Sequence, residues 1–314
     1  MEWIALVALV AALLGTLVWG LGPFGRLPGV ALAGAIAERI VCAVGLGEAC
    51  EPDPLGAAYG PEIAGMLRKH APTIRYEPGM RALPVDYRQC RSDRCAEGAE
   101  SGLIWRTRSG LPVVAFTRVV DCRAAADRAL ADSSGSTPAS GSTDCAGSRW
   151  DATYLQYWFY YPGSATGEGS IPAVKDGIRW ASSRLGTPTY HRDDWESFQV
   201  RIGRDGEALA RASSHKGHVY RGGVPAIAER ASGRPGRASR RGGGWGPSTG
   251  VLYVSGGSHA GRIWTAERAQ RLTPGARLTM IPLESLKERA AASFAVTPPW
   301  LKELWRDPEA VGTE

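Results

Sequence analysis

The chain has 314 residues, with 37 Lys and Arg against 31 Asp and Glu, a formal charge of +6. So mild a surplus excludes a histone-like or ribosomal-type basic protein, and a hydrophobic share of 44% excludes a wholly disordered chain. The length allows one large domain or two small ones, and 40 Gly, 21 Pro, 11 Trp and 10 Tyr favour a loop-rich β protein over a helical bundle.

Residues 1–25 read as a transmembrane anchor or signal segment. Trp3 to Gly25 carries no charge, and about 20 apolar residues suffice to span a bilayer as a helix. Trp3 and Trp19 suit the two interfaces. Glu2 precedes the segment without any Lys or Arg, and no A-x-A cleavage site follows directly, so a retained anchor is expected over a cleaved signal. Arg26 and Arg39 follow the segment and by the positive-inside rule would hold the body in the cytoplasm. The cysteines argue the other way. Six of them fall in close sequential pairs, Cys42/Cys50, Cys90/Cys95 and Cys122/Cys145, without any C-x-x-C or nearby His. That pattern suits local disulfides in an oxidising compartment, so the body is expected on the extracytoplasmic side of the cell membrane.

Residues 26–67 read as a membrane-proximal helical and linker region. Its one clear helix lies within residues 54–72, with Ile63, Met66 and Leu67 on one face, Pro61 in a first turn and Pro72 as the stop. Beyond it the period changes to two. Strands are predicted at Thr73–Tyr76, Gly102–Thr107, Val113–Val119, Thr153–Tyr161, Trp195–Ile202, Val251–Ser255 and Arg277–Pro282, each bounded by turn residues. The expected fold is mainly β: an antiparallel β-sandwich with long loops over residues 68–305, preceded by one short helix and a single N-terminal membrane helix, and followed by a tail at 306–314.

Two loops stand out. Residues 132–149 are rich in Ser, Gly and Thr and read as a flexible polar loop. Residues 221–250 hold nine Gly and six Arg against one Glu, so this stretch carries +5 of the chain's +6. A solvated insertion accounts for such a composition; so does a contact with anionic lipid head groups or an envelope polymer. Nucleic acid is not expected, because no aromatic residues interleave the arginines to stack on bases.

Four of the five histidines, His191, His215, His218 and His259, lie between residues 191 and 259. The densest chemistry is Tyr190-His-Arg-Asp-Asp-Trp-Glu196. As a strand, its even positions Asp194, Glu196, Phe198, Val200 and Ile202 share one face, and the three apolar members mark that face as covered. Two carboxylates at the edge of a core need a cation, arginine partners or a shared proton. Three solutions compete: a divalent cation (Ca, Mg or Mn) held by His191, Asp194 and Glu196; a structural ion pair with Arg192 or Arg179; or a general acid and base with unequal affinities for a proton. His215 lies in Ser-Ser-His-Lys-Gly and His259 in a glycine turn after a strand, so both are expected to converge with Asp194 as ligand-binding residues. Tyr157 and Tyr160 could line the same cleft, although core packing is the commoner fate of aromatic strand residues. No nucleophile elbow, phosphate loop, dinucleotide fingerprint or H-E-x-x-H is present.

An aromatic strand (Tyr154-Leu-Gln-Tyr-Trp-Phe-Tyr-Tyr161), then His191-x-x-Asp-Trp-Glu196, then Ser214-His-Lys-Gly217, then Tyr253-Val-Ser-Gly-Gly-Ser-His259 make an ordered set of motifs. The set resembles the Vps-type HEGDWE domain of vacuolar-sorting-associated and bacterial proteins, over about residues 68–305. A more distant similarity is to the necrosis-inducing NLP cytolysins, whose hallmark is Gly-His-Arg-His-Asp-Trp-Glu. That resemblance implies a β-sandwich in which His191, Asp194 and Glu196 help to hold a divalent cation. Here Tyr190 stands for the Gly and Asp193 for the second His, and Ser183 stands near the family's upstream Asp.

The reading that follows is a membrane-anchored extracytoplasmic protein whose polar cleft binds a glycan, a lipid head group or an envelope polymer. An envelope carbohydrate hydrolase or lyase, with Asp194 or Glu196 as base and His215 or His259 as acid, is the enzyme alternative. A structural protein with a buried charge cluster is the third.

Overall fold

An aromatic run with scarcely a polar residue cannot be a half-exposed strand, and residues Ala152–Ala165 behave accordingly. They form the central strand of a sheet that is covered on both faces. The computed structural model describes residues 53–77, 82–98, 105–123, 151–165, 180, 190–214, 217–219, 244–263, 277–283, 286 and 293–310. In chain order these give helix α1 (Pro54–His70), strand β1 (Thr73–Tyr76), a short helix α2 (Asp93–Ala96), and strands β2 (Val114–Asp121), β3 (Ala152–Ala165), β4 (Tyr190–Gly203) and β5 (Ala208–Ser214). Then come β6 (Gly217–Val219), β7 (Gly246–Pro247), β8 (Val251–Val254), β9 (Gly261–Ile263), β10 (Thr279–Pro282) and a terminal helical turn α3 (Glu303–Arg306).

The strands make two sheets. The large one runs in the order β10-β2-β3-β4-β5-β6, with β7 also paired to β5; the small one runs β1-β8-β9. The protein is therefore mainly β, as expected, but neither sheet is purely antiparallel. Strand β1 lies parallel to β8, and β10 lies parallel to β2, each pair joined by a long stretch of chain. The β2-β3-β4-β5 centre is antiparallel, with Tyr161 opposite Asp194, Phe159 opposite Glu196 and Leu155 opposite Val200.

The main core fills the space between the sheets. Ile74, Tyr76, Leu252 and Val254 from the small sheet meet Tyr157, Phe159, Phe198 and Val200 from the large one. Leu55, Ala64 and Leu67 of α1 join the same cluster. The helix is thus part of the core, and Tyr59 Oη donates to Thr117 O at 2.8 Å. A kink divides it at Gly60, whose φ of 79° favours glycine; Pro61 then opens the second part with its preset φ. The sheets come close together at Gly261, where a Cβ would sit 3.0 Å from Leu252 Cδ1 and 3.2 Å from Ala212 Cβ. Only a glycine fits that approach without displacing its neighbours.

The opposite face of the large sheet is covered too. Trp158, Tyr160 and Trp195 pack with Tyr87, Phe116 and Phe294 in an aromatic layer. The alternation argument correctly marks Asp194 to Ile202 as facing a core, but the odd face is equally buried. Further along that face the sheet is polar, and the segment from Glu303 to Ala310 crosses it as a strap. Arg118 Nη2 donates to Trp305 O at 2.6 Å, Gln156 Nε2 to Leu304 O at 3.3 Å, and Arg211 Nη2 to Pro308 O at 2.6 Å and Ala310 O at 3.1 Å. Glu309 accepts from Arg201, Tyr154 and Trp245 at 3.0, 2.8 and 2.8 Å. Burial pulls the Arg211 guanidinium down to about 9, against the opposing charge of Glu309. Converting Glu309 to Gln removes the anion from this site. The expected cost is about 1–3 kcal/mol, the scale for losing hydrogen bonds to a charged group, with faster amide exchange over residues 303–310 as the local sign.

The Cys90–Cys95 disulfide forms as expected. Cys122 is disulfide-bonded as well; Cys42, Cys50 and Cys145 lie outside the described residues. So do the segment 1–25 predicted as an anchor, the loop 132–149, most of the arginine loop 221–250, and residues 102–104 of the predicted strand Gly102–Thr107. Arg106 and Thr107 make only isolated bridges, to Pro112 and Gly98. No helix among the described residues is long and apolar enough to cross a membrane.

Candidate functional site

The β8–β9 hairpin and the first half of β4 meet at a buried polar centre. The chain turns between Val254 and Gly261 through Ser255-Gly-Gly-Ser-His-Ala260. Gly257 takes a φ of 79° and His259 a φ of 50°. The left-handed region is uncommon for a non-glycine residue, although histidine tolerates it better than most. The turn is pinned from several sides: Ser255 N donates to Ala260 O at 3.2 Å, Gly256 N to Glu77 Oε2 at 2.5 Å, and Ser164 Oγ to Gly257 O at 3.1 Å. The unusual backbone at His259 turns its ring inward.

His259 Nδ1 lies 3.0 Å from Asp194 Oδ2, and both side chains are completely buried. The imidazole stacks on Tyr161 at 4.1 Å between centroids and 11° between planes. Tyr161 stands opposite Asp194 in the β3–β4 register, so strand pairing sets carboxylate, imidazole and phenol side by side. Glu196, two residues along β4, is also buried. The Tyr161 hydroxyl has no hydrogen-bond partner among the described residues, and neither does that of Tyr76. Burial holds the Tyr161 phenol far above its ordinary pKa, and the nearby Tyr76, Glu196 and Asp194 push it the same way. Burial raises the Tyr76 phenol as well, so both tyrosines stay protonated at any ordinary pH.

The flanking residue Asp193 faces a different environment. Its φ is 57°, and its carboxylate accepts from Arg91 Nε at 3.0 Å and Nη2 at 2.6 Å, from Tyr160 Oη at 2.7 Å and from Ala295 N at 2.9 Å. Burial raises its affinity for a proton, but these donors outweigh it and hold Asp193 below the usual carboxylate range. A carboxyl with its folded pKa below the unfolded value of about 3.9 contributes stability above that pH and loses it as pH falls through the folded value. Acid unfolding is thus expected to steepen below about pH 4, and Asp193→Asn to remove part of that dependence in a denaturation series.

The expected site residues separate as follows. Asp194 and His259 meet, with Glu196 near them. His191 is half-buried, with Nδ1 3.3 Å from Arg192 O. It pairs with Ser164, which reaches the hairpin at Gly257, so this strand position lies beside the same turn. His215 lies outside the described residues. Tyr157 and Tyr160 are buried on opposite faces of β3 and line no cleft between them. Tyr157 Oη donates to Leu67 O at 2.7 Å, and Tyr160 serves Asp193. Tyr161 and Tyr76 were not singled out by the sequence; the signal for Tyr161 was its place in the strand beside the motif. Among the described residues, no group of three or more His, Cys, Asp or Glu is spaced to hold a metal ion. An open cavity of about 500 Å³ lies at the other end of β4, lined by Asp151, Arg201, Arg204, Asp205, Glu207 and Leu209, away from this centre.

No protein-family model matches the chain, and no curated protein matches it. A solved structure, NLPPya in complex with mannosamine, is similar at 13% sequence identity over 73% of this chain and 86% of that chain, with a TM-score of 0.26. A superposition that loose carries no argument about fold or function.

Proposed function

We propose that this is a membrane-anchored, extracytoplasmic binding protein of the Vps-type HEGDWE kind, whose polar centre at Asp194, Glu196 and His259 serves a glycan, a lipid head group or an envelope polymer. The observation that carries the reading is the Asp194–His259 contact. It joins two motifs 65 residues apart, inside a core where an unneeded carboxylate would be costly. Carboxylates and an imidazole are suited to the hydroxyl and amino groups of such ligands, and since all three side chains are buried, the turn at residues 255–260 would have to move aside to admit one. Residues 221–250, with their arginine surplus, are the proposed contact to an anionic membrane or polymer.

A divalent cation is a separate proposal. Asp194, Glu196 and His259 offer oxygen and imidazole donors of the right chemistry, and His191 would complete the set; the Asp194–His259 hydrogen bond would have to open to admit the ion. The reading as a binding protein does not depend on it. Metal analysis of the purified protein and of Asp194→Asn decides the point: no Ca, Mg or Mn above background in either removes the cation.

The test of the main reading is binding of the full chain to a panel of envelope-polysaccharide fragments and to vesicles of anionic phospholipid. His259→Gln is expected to weaken the binding about tenfold or more, the equivalent of one charge-assisted hydrogen bond. Binding to no member, or binding that His259→Gln leaves unchanged, overturns it.

One observation favours the enzyme alternative. A carboxylate on Nδ1 fixes an imidazole's orientation and tautomer, as a general acid or base requires. Turnover of a polysaccharide fragment that is lost in Glu196→Gln while binding remains would establish a hydrolase or lyase.

A further inference from the structure

The short disulfide loop lies across the sheet from the polar centre, yet it is connected to it through one residue. Arg91 sits inside the Cys90–Cys95 ring and reaches Asp193 with both arms of its guanidinium fork. Asp193 is the immediate neighbour of Asp194. It is also the one β4 residue in the left-handed region, and it faces Pro162, where the β3–β4 pairing is interrupted. Proline offers no N–H to the ladder there, so the peptide between Asp193 and Asp194 depends on the partners of its two side chains as well as on the Tyr161–Asp194 pairing. On one face those partners are Arg91, Tyr160 and Ala295; on the other it is His259. Tyr160 is fixed by the aromatic layer, whereas Arg91 is carried on the loop and leans on that layer, its guanidinium 4.6 Å above the Phe294 ring and its Nε 3.4 Å from Tyr160 Oη.

Apart from Arg91, the loop is held by short-range backbone bonds and by Ser109 Oγ, which donates to Cys95 O at 3.5 Å. Cys95 N donates to Ser92 O at 3.0 Å and Cys90 N to Asp86 O at 3.1 Å. Ser92, Asp93 and Arg94 are exposed, and the two cysteines are only half-buried. An accessible disulfide that closes a short surface loop is the kind that exchanges with external thiols, unlike one sealed in a core.

We propose that the Cys90–Cys95 loop is a redox-sensitive latch on the Asp194–His259 centre, with Arg91 as the positioning residue that transmits its state. This rests on the reading that the Asp194–His259 pair is the working centre of the site. Oxidised, the loop presents Arg91 to Asp193 and the carboxylate of Asp194 stays aimed at His259. A dithiol reductant breaks the S–S bond: it is itself oxidised to a disulfide, and its two electrons and two protons leave Cys90 and Cys95 as thiols. The ring opens, Arg91 loses its fixed approach, and the 193–194 peptide gains freedom. The Asp194–His259 contact and the His259–Tyr161 stack then loosen.

The stack supplies a readout that needs no ligand. A ring lying flat on a tyrosine at 4.1 Å has its proton resonances moved upfield by that tyrosine. With only five histidines in the chain, the His259 signals can be assigned from His259→Gln. Dithiothreitol would also reach the disulfide at Cys122, so the paired change Cys90→Ser and Cys95→Ser carries the test, beside Arg91→Gln and Arg91→Lys with the disulfide intact. The expected result is that the His259 ring resonances move back toward the unstacked position in the paired variant and in Arg91→Gln, and partly so in Arg91→Lys, while His70 on α1 does not change. An unchanged His259 in Arg91→Gln overturns the proposal. Should the paired variant lose its near-ultraviolet aromatic signal and prove unfolded, the two Arg91 variants decide alone. A response at His259 with no ligand found on any panel would sink the binding function and leave the latch standing; ligand binding with an indifferent His259 would do the reverse.

Discussion

Replacing His259 by alanine is expected to cost about 2–4 kcal/mol of folding stability, about 1–3 of it the scale for a buried polar group that loses a hydrogen-bond partner and the rest lost packing of the ring. The carboxylate of Asp194 is completely buried, and His259 Nδ1 is the hydrogen-bond partner that the hairpin brings to it. Alanine at 259 leaves that carboxylate facing a void in the core, and it also removes the ring stacked on Tyr161. Alanine further loses the tolerance that histidine has for a φ of 50°. Denaturant unfolding measures the loss. A double-mutant cycle with Asp194→Asn separates the pair from its surroundings, and the cycle is expected to be non-additive, since residues in direct contact couple. If the two changes added independently, the contact would contribute nothing of its own and the polar centre would lose its basis.

The second large effect is at Trp195, in the middle of the motif. Its indole is buried against Tyr87, Tyr160, Phe294 and Trp300 at centroid distances of 5.6, 5.1, 5.7 and 5.9 Å, mostly in edge or tilted contacts. Truncation to alanine is expected to cost about 3–5 kcal/mol from lost transfer energy and the cavity left behind. The lost aromatic geometry adds to this. Against a total stability of roughly 5–15 kcal/mol, that leaves a marginal protein. Trp105→Ala is the control: this tryptophan is 51% exposed, and its loss should stay within about 0.5 kcal/mol. Thermal unfolding of the two variants side by side checks both. Equal losses would mean that the aromatic layer does not support the sheet.

The strands were the most legible part of the chain. Period-two patterning bounded by turn residues places β1 at its observed residues and predicts the body of β3, β4, β8 and β10. It also identifies the covered face of β4 from Asp194 to Ile202. These features are local, and local pattern is what alternation records. The pairing of β1 with β8 and of β10 with β2 is not local. Parallel neighbours separated by most of the chain leave no mark on either strand. The second buried face was hidden for a related reason. Asp193, Ser197 and Gln199 are polar and read as solvent-facing, but Arg91, Ser213 and Arg211 meet them from other elements. The meeting of Asp194 with His259 followed from the idea that two unusual histidine and carboxylate motifs should share a site. The stack on Tyr161 did not, because it needs the β3–β4 register. The left-handed backbone at Asp193 and His259 was not legible at all, since neither residue type demands it.

The strap has a consequence for the order in which the protein can be completed. Phe294, Trp300 and the residues from Glu303 to Ala310 cover the face of a sheet whose central strands, β2 to β5, end at Ser214, well before the covering residues are made. While the chain is being synthesised, the aromatic layer around Trp195 and the arginines at 118, 201 and 211 have no lid. Strand β10, the parallel neighbour of β2, is also missing until late. The growing chain can therefore pair its central strands but cannot seal them, and loops of this length make such closure slow. Exposed aromatic surface on an unfinished sheet is what chaperones bind and proteases cut. A chain interrupted before residue 294 should be degraded or held, while one that reaches Ala310 locks as a unit.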